Sequence, residues 1–254
     1  MRASRAARER AGKGEAGRIE GARPIIEAIR AGRRQVLEVR LPHKPTTPAQ
    51  RELEALVEER SIPRRPLERG ASGAVARAEP YLEEPFEELL LGTPPHFLVA
   101  LDRVTDVGNL GSIARSAEVA GAGGLVLEYR HAPPIGPGAL RASAGALEHL
   151  RVGRTPSLPR ALETAAAEGL TVLAAEAGGE PLADLPRDLL QGGLVWVFGS
   201  EDRGLRGSVA RRADRTVGIP RQGRVESLGV AAAAAYLLQR TAELRRNPPS
   251  ETLA

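Results

Sequence analysis

Three glycine-rich stretches in the second half of the chain carry the polar side chains best placed to do chemistry. The first holds Asn109 and Arg115, the second holds Glu201, and the third holds Ser227. Each stretch joins a predicted strand to a turn or helix, where a ligand can approach the backbone closely. An arginine at such a place can stabilise developing negative charge or anchor a phosphate.

Composition removes several other kinds of chemistry. The chain has no cysteine, which excludes disulfides, thiolate metal sites and cysteine nucleophiles. The four histidines do not have the spacing of metal ligands, and they stand at His43, His96, His131 and His149. We therefore expect no metal site.

Each candidate residue also has a purely structural interpretation, and spacing alone does not decide between the two. Arg115 could be a solvated side chain on a capped helix. Asn109, six residues earlier, would turn back toward it only if the helix had a loop-like start before Gly111. The loop at 199–205 matches neither the phosphate-binding P-loop nor G-x-G-x-x-G, and could be a structural turn. Ser227 is a good helix N-cap, although the N–H groups there could instead hold a cofactor carboxylate.

The elements that must position these stretches alternate between apolar strands and helices. Buried strands separated by helices predict a mostly parallel sheet that is covered on both faces. The short apolar runs span 97–101, 125–127, 170–174, 194–198 and 216–219. Such sheets bind ligands outside the carboxyl ends of their strands. The backbone at Gly199, Ile219 and Leu228 is therefore expected to converge on one pocket. Gly199→Val is expected to block the ligand while leaving the fold stable.

A smaller α/β unit is predicted in the first third of the chain. A helix over 22–30 should end at Gly32, and a capping box at Thr47 should start a second helix that reaches about residue 59. Strands are predicted at 35–41, 62–66 and 74–78. The acidic segment 79–95 contains four prolines, so we interpret it as a linker.

The charge of the chain is concentrated at its N-terminus. The first 18 residues hold six basic and two acidic side chains, which equals the net charge of +4 of the whole chain. This tail could contact RNA phosphates as a flexible arm, or it could be a disordered extension. Aromatic residues make up 3% of the chain, so base stacking cannot be its main way of binding nucleic acid. Neither a secretory signal nor a membrane span is indicated, and we expect a cytoplasmic protein.

In their order and content, the three stretches resemble the three motifs of the SpoU (TrmH-type) RNA ribose 2′-O-methyltransferases. The run from Asn109 to Arg115 matches N-x-G-x-x-x-R, and Glu201 matches the acidic residue of the second motif. The third family motif is Ser-Leu-Asn-Val-Ser, and this chain departs from it at Gly229 and Ala231. The segment 141–150 is similar to the RlmB-like branch, which modifies large-subunit ribosomal RNA.

The resemblance implies an enzyme that uses S-adenosyl-L-methionine to methylate a ribose 2′-oxygen of ribosomal RNA, with a large-subunit guanosine as target. It implies an α/β, SPOUT-type catalytic domain with a trefoil knot, an L30e-like substrate-binding domain before it, and a homodimer formed through the C-terminal helix. The implied catalytic residues are Arg115, Asn109, Glu201 and Ser227. The implied cofactor-binding residues are Phe198, Gly199, Ser200, Gly204, Ile219, Pro220, Leu228 and Val230.

The domain boundaries that follow are a basic tail (1–18), an RNA-binding domain (19–78), a linker (79–95), a methyltransferase domain (96–245) and a C-terminal tail (246–254). Near the end of the RNA-binding domain, where the family has His-Gln-Gly, this chain has Ala71-Ser72-Gly73. Two other functions stay open. One is a non-catalytic RNA-binding paralogue in ribosome assembly, and the other is an antibiotic-resistance methyltransferase acting on a different ribosomal nucleotide.

Overall fold

A computed structural model describes residues 17–67, 73–94, 96–220, 222–224 and 228–246, and the described chain builds two separate sheets. The strands of the first sheet are β1 (Arg18–Glu20), β2 (Val36–Leu41), β3 (Arg64–Pro66) and β4 (Val75–Ala78). Two helices belong with them, α1 (Ala22–Ala31) and α2 (Pro48–Glu59). Most of the predicted N-terminal tail and the end of the C-terminal tail lie outside the described residues, as do Ala71 and Ser72.

Local sequence signals mark the end of α1 and the start of α2. Gly32 takes a left-handed conformation with φ of 62° and ends α1. Thr47 and Gln50 form a reciprocal capping box at the start of α2, each side chain bonding the other's backbone N–H. The predictions for these two helices are confirmed.

The first sheet has one covered face and one open face. Its strand order is β1-β4-β2-β3, with β3 parallel to β2 and the other pairs antiparallel. Ile19, Val39, Leu41 and Ala76 are buried in one cluster with Ile25 and Leu53 of the two helices. Because side chains alternate along a strand, the residues between these point to the opposite, solvent-facing side.

The second sheet contains seven strands. They are β5 (Glu84–Pro85), β6 (Phe97–Asp102), β7 (Gly124–Glu128), β8 (Arg151–Thr155), β9 (Leu170–Pro181), β10 (Gly193–Gly199) and β11 (Arg215–Gly218). They are ordered β11-β9-β10-β6-β7-β8-β5, and every neighbouring pair is parallel. The predicted mostly parallel α/β sheet is therefore confirmed.

Helices cover both faces of this second sheet. In chain order they are α3 (Val107–Val119), α4 (Pro137–Ala142), α5 (Leu158–Ala167), α6 (Arg187–Gln191), α7 (Gly207–Ala210) and α8 (Val230–Arg246). Buried side chains of α3 and α8 pack with Trp196 and Phe198 on one face, while those of α5 pack with Val195 and Val197 on the other. None of the helices in the described ranges is both long and apolar enough to span a membrane.

The second sheet also recruits part of the segment that we predicted as a linker. Glu84 and Pro85 pair with β8, and a 3₁₀ helix over Phe86–Leu91 buries Phe86 and Leu89. Strand β8 was not predicted, because Arg151 and Arg154 interrupt its apolar pattern. Both arginines are ion-paired with glutamates of the supposed linker.

A buried ion pair joins the first sheet to the second. Arg34, which follows α1, pairs with Glu148, which precedes β8, and both side chains are almost fully buried. The Tyr81 hydroxyl donates a 2.5 Å hydrogen bond to the Leu147 carbonyl, and the Arg34 guanidinium lies over the Tyr81 ring. Burial raises the pKa of Tyr81 above its ordinary value, so its hydroxyl keeps its proton.

Candidate active site

The helix that carries Asn109 and Arg115 begins earlier than predicted. Asp106 caps α3 by accepting a 2.7 Å hydrogen bond from the backbone N–H of Asn109. Asn109 is thus the third residue of a regular helix, and the loop-like start that would turn it toward Arg115 is wrong. At about 100° per residue, the two side chains leave the helix about 120° apart.

Arg115 is the more accessible of the two side chains. It is exposed, whereas Asn109 is partly buried. Ile113 and Ala117 of α3 and Ala120, which directly follows it, are all buried. Across the described part of the chain, no hydrogen bond or ion pair engages Arg115. Its guanidinium is therefore available to a substrate.

The glycine between these two residues has a packing role. A Cβ atom on Gly111 would lie 2.4 Å from Ala142 Cβ and 2.7 Å from the backbone N of Ser143. Real Cβ atoms do not approach other atoms so closely, so α3 and the end of α4 touch only because residue 111 has no side chain. The motif-one helix is thereby held against the segment 141–150.

An ion cluster that the sequence did not reveal lies at the carboxyl ends of β6 and β7. Asp102, with 0% exposure, accepts hydrogen bonds from both the backbone N–H and Nε of Arg206, at 2.7 and 2.6 Å. Arg206 also donates to Glu128 at 2.8 Å, and Glu128 accepts a further bond from the backbone of Leu158. Burial opposes the charge of Arg206, but hydrogen bonding to Glu128 and the charge of Asp102 raise its pKa above the ordinary value.

This cluster fixes where the second glycine-rich stretch ends. Arg206 directly follows the loop 199–205, so its bonds tie that loop to β6 and β7. Beside it, Arg103 has a left-handed backbone with φ of 58°, and its Nε is buried with no hydrogen-bond partner among the described residues. A strained backbone and an unsatisfied buried donor are typical of ligand sites.

The loop 199–205 is a tight turn closed on itself. The N–H of Gly204 donates to the Ser200 carbonyl at 2.9 Å, and Gly204 has a φ of 61°. A Cβ atom on Gly199 would lie 2.3 Å from the carbonyl carbon of Gly204 and 2.5 Å from the backbone N of Leu205. The expectation that Gly199→Val would spare the fold is therefore wrong, because the side chain would collide with the loop itself.

Gly199→Ala is expected to lower the free energy of unfolding by about 1–3 kcal/mol, because the loop backbone must move to admit the methyl group. Gly223→Ala is the matched control, since a Cβ atom at Gly223 would meet nothing within 4 Å. Urea denaturation measures both. Equal stability of the two variants would show that the loop is loosely packed.

The second and third stretches meet at the start of α8. Gly229 immediately precedes this helix, and a Cβ atom there would lie 3.2 Å from Oε1 of Glu201. The Glu201 carboxylate thus faces a helix N-terminus, where negative charge is favoured. It lies at the helix start where, in one of the two interpretations of the sequence, the N–H groups would hold a cofactor carboxylate. Ser227 and its predicted capping role lie outside the described residues.

Some of the predicted cofactor-binding residues are buried in the core, and others are accessible at the ends of the strands. The ring of Phe198 stacks on Trp196 with 5.7 Å between centroids, and Val230 is buried, so these two can offer a ligand only their backbone. Leu228 is 55% exposed, although it is apolar. Ile219 and Pro220 directly follow β11. All these positions lie at the carboxyl edge of a parallel sheet.

A separate cavity of about 640 Å³ lies at the opposite edge of the second sheet. Its lining includes His96, Gly123, Arg151 and Arg245, which stand at the amino ends of strands and at the end of α8. None of the candidate residues that the structure describes lines it. We therefore place the candidate site at the carboxyl edge.

Comparison with known proteins identifies relatives over almost the whole chain. The model of the SpoU rRNA methylase family matches residues 96–239. A Mycobacterium avium protein named as an uncharacterized tRNA/rRNA methyltransferase is 33% identical over 90% of this chain and 77% of its own length. The crystal structure of the SpoU methyltransferase AviRb from Streptomyces viridochromogenes, in complex with AdoMet, superposes with a TM-score of 0.72 at 25% identity and covers 90% of each chain. An RNA 2′-O ribose methyltransferase superposes with a TM-score of 0.71 at 26% identity, covering 91% of this chain and 90% of that one.

Proposed function

Because this chain belongs to the SpoU rRNA methylase family, we propose that it transfers the methyl group of S-adenosyl-L-methionine to a ribose 2′-hydroxyl of ribosomal RNA. The finer proposal is that the target is a guanosine of the large-subunit RNA. It is supported by the resemblance of the segment 141–150 to the RlmB-like branch. We further propose that residues 19–78 bind RNA, that 96–245 form the catalytic domain, and that this domain contains the family's trefoil knot.

The observation that carries the proposal is the meeting of three distant stretches at one edge of the second sheet. Gly199 pairs with Asp102, from which the chain runs directly into the motif-one helix. Glu201 reaches the start of α8 at Gly229. Residues separated by about a hundred positions along the chain thus surround one place, as a reaction between two substrates requires.

The groups at this edge suit S-adenosyl-L-methionine. The Glu201 carboxylate can face the cationic part of the cofactor, the exposed Leu228 can cover its adenine, and the backbone after β11 at Ile219 and Pro220 can bond its polar groups. The Nε of Arg103 lies 4.0 Å from Oδ1 of Asp102 and has no hydrogen-bond partner among the described residues, so it can donate to an anionic group. When bound, the cofactor supplies a methyl carbon activated by the neighbouring sulfonium.

The protein must then activate a hydroxyl, which is a poor nucleophile. We assign this role to Arg115, whose guanidinium stays protonated and can stabilise negative charge that develops on the 2′-oxygen. The same guanidinium can hold the adjacent RNA phosphate. We assign Asn109 and Ser227 to orienting the ribose. The proton of the 2′-hydroxyl passes to a phosphate oxygen of the substrate or to water.

Two measurements test the function. Isothermal titration calorimetry of the full chain with S-adenosyl-L-methionine should show binding. Tritiated cofactor should then label ribosomal RNA from a strain that lacks the gene, and mapping of 2′-O-methyls should locate one ribose. Binding of RNA with no methyl transfer would instead support the non-catalytic paralogue, the alternative that the altered third motif raises.

Gly229→Asn separates an adapted third motif from a damaged one. Asparagine is the residue that the family carries there, but its Cβ would press on the Glu201 carboxylate. We expect turnover to fall severalfold, because the Glu201 carboxylate must shift by a few tenths of an ångström from its position at the start of α8. Single-turnover methylation measures the rate, with Gly223→Asn as the control. A faster enzyme would show that glycine had impaired the active site.

We also propose that the protein is a homodimer formed through α8. Part of the predicted contact surface is internal, since Ala234, Leu237 and Leu238 are buried within the subunit. Ala232 and Tyr236 remain exposed on the outer face of the helix. Light scattering at micromolar concentration should give about twice 26.9 kDa, and the mass of a single chain would contradict the proposal.

A further inference from the structure

The open face of the first sheet carries a set of arginines contributed by all four strands. The strand register places Arg18 of β1 opposite Arg77 of β4, and Arg77 opposite Glu38 of β2. It also places Arg40 of β2 opposite Arg65 of β3. Residues directly opposite each other on paired strands share a face, so the four arginines form one surface, which we call the arginine face.

The arginine face is accessible to solvent. The side chains of Arg18, Arg40 and Arg65 are 47%, 42% and 67% exposed, and Arg77 is also exposed. Neighbouring strands lie about 4.8 Å apart, so four strands present these cations across roughly 15 Å. The helices α1 and α2 pack against the other side of the sheet.

Two carboxylates between the arginines orient them without cancelling their charge. Hydrogen bonding from Arg40, together with the charges of Arg65 and Arg77, holds the pKa of the Glu38 carboxyl below its ordinary value. The other carboxylate, Glu20, is hydrogen-bonded by Arg18 in the same way. Both stay ionised, so the described part of this face holds four cations and two anions.

The arginine face continues toward the candidate active site. Glu20 of β1 also accepts a 2.7 Å hydrogen bond from Arg141, a residue of α4 whose side chain is 61% exposed. The adjacent Ala142 is the residue against which Gly111 of the motif-one helix packs. A fifth exposed arginine therefore links the open sheet face to the helix that carries Arg115.

The chemistry of this surface favours one form of nucleic acid. Guanidinium groups bind phosphates well, whereas single-stranded RNA is gripped mainly by stacking its bases on aromatic side chains. Apart from the two carboxylates and Val75, which lies opposite Arg40, the paired residues of the four described strands that share this face are arginines, and none of them is aromatic. Double-helical RNA is recognised through its backbone, which needs no stacking surface.

We propose that the arginine face, extended by Arg141, binds the phosphate backbone of double-helical RNA and leads the substrate to the motif-one helix. This rests on the proposed function in that RNA is the substrate. The target ribose then lies in, or next to, a helical segment of the RNA. The sheet contributes affinity, while the carboxyl edge of the second sheet contributes the chemistry.

The test compares two fourfold variants of the full chain that lose the same charge. The first replaces the arginine face, with Arg18→Gln, Arg40→Gln, Arg65→Gln and Arg77→Gln. The matched control removes three arginines of the helices on the other side of the same sheet and the arginine that directly follows α2, with Arg23→Gln, Arg30→Gln, Arg51→Gln and Arg60→Gln. Both variants keep every residue of the candidate active site.

Binding is measured by fluorescence anisotropy with a hairpin RNA of about 16 base pairs and with an oligouridylate of equal length. The face variant should bind the hairpin about tenfold or more weakly. The dependence of its log Kd on log salt should become shallower by about 0.7–0.9 for each phosphate that the protein no longer neutralises. The control variant should behave as the wild type does. Affinity for S-adenosyl-L-methionine should be unchanged in both.

Specific results would overturn the proposal. Equal hairpin affinity in the two variants would show that the face does not contact RNA. Equal weakening for the oligouridylate would show that the face does not distinguish a double helix. Failure of the proposed function gives a different pattern, since the wild type would then bind the hairpin through this face but transfer no methyl group.

Discussion

Arg115→Ala is expected to reduce methyl transfer by about 10²-fold or more while leaving the affinity for S-adenosyl-L-methionine nearly unchanged. Arg115 is exposed and, across the described residues, forms no ion pair. Its loss should therefore cost little stability, and the effect should fall on the reaction itself. Loss of a contact made only in the transition state lowers the turnover number and kcat/KM together, and loss of the phosphate contact would in addition raise KM.

The controls for this prediction separate charge from position. Arg115→Lys keeps the positive charge but cannot present a planar pair of donors, so it should recover only part of the rate. Arg160→Ala removes a helical arginine from α5, on the other side of the second sheet, and should leave turnover unchanged. Single-turnover rates, together with cofactor titration by calorimetry, test all three. Wild-type turnover in Arg115→Ala would remove this residue from the mechanism.

The second large effect is expected from Arg34→Ala, which should lower the free energy of unfolding by about 3–5 kcal/mol. The substitution leaves Glu148 buried without its partner, because only 2% of that side chain is exposed. It also removes the cation above the Tyr81 ring. Removing one partner lowers the free energy of unfolding by more than the ion pair contributes to it, because the remaining buried carboxylate keeps its full desolvation penalty.

Two further variants make the Arg34 result interpretable. Arg30→Ala breaks exposed ion pairs with Glu27 and Glu52 in the same helix region, and should cost well under about 1 kcal/mol. The double change Arg34→Met with Glu148→Leu removes both charges and should recover most of the stability. Urea denaturation gives all the values. If Arg34→Ala were no worse than Arg30→Ala, the two sheets would not be joined through this pair.

The sequence predicts those parts of the fold that depend on local signals. Gly32 ends α1 because it can adopt a left-handed conformation, and Thr47 starts α2 because its side chain caps the helix. Strands β6 and β10 are predicted because each contains an unbroken run of apolar residues. Strand β8 is not predicted, because Arg151 and Arg154 interrupt its apolar pattern. Their carboxylate partners come from a segment that resembles a linker.

The candidate site could be predicted from local sequence signals to a smaller extent than the fold. The motifs around Arg115 and Glu201 are visible as short strings, but the cluster that ties Arg206 to Asp102 and Glu128 joins residues 104 and 78 positions apart. Local periodicity carries no information about such contacts. A carboxylate at the end of an apolar strand, as at Asp102, was the one available sign that a buried partner had to exist.

The contact between Gly111 and the end of α4 affects how any screen for inactive mutants should be interpreted. Substitutions at Gly111 and at Arg115 will both abolish activity, although residue 111 has no side chain that could meet a substrate. At Gly111 the lost activity should accompany a lost yield of soluble protein, because two helices can no longer meet. A substitution at Arg115 should leave the yield of soluble protein normal and abolish only the activity. Expression level, scored beside activity, therefore distinguishes architecture from chemistry within a single seven-residue motif.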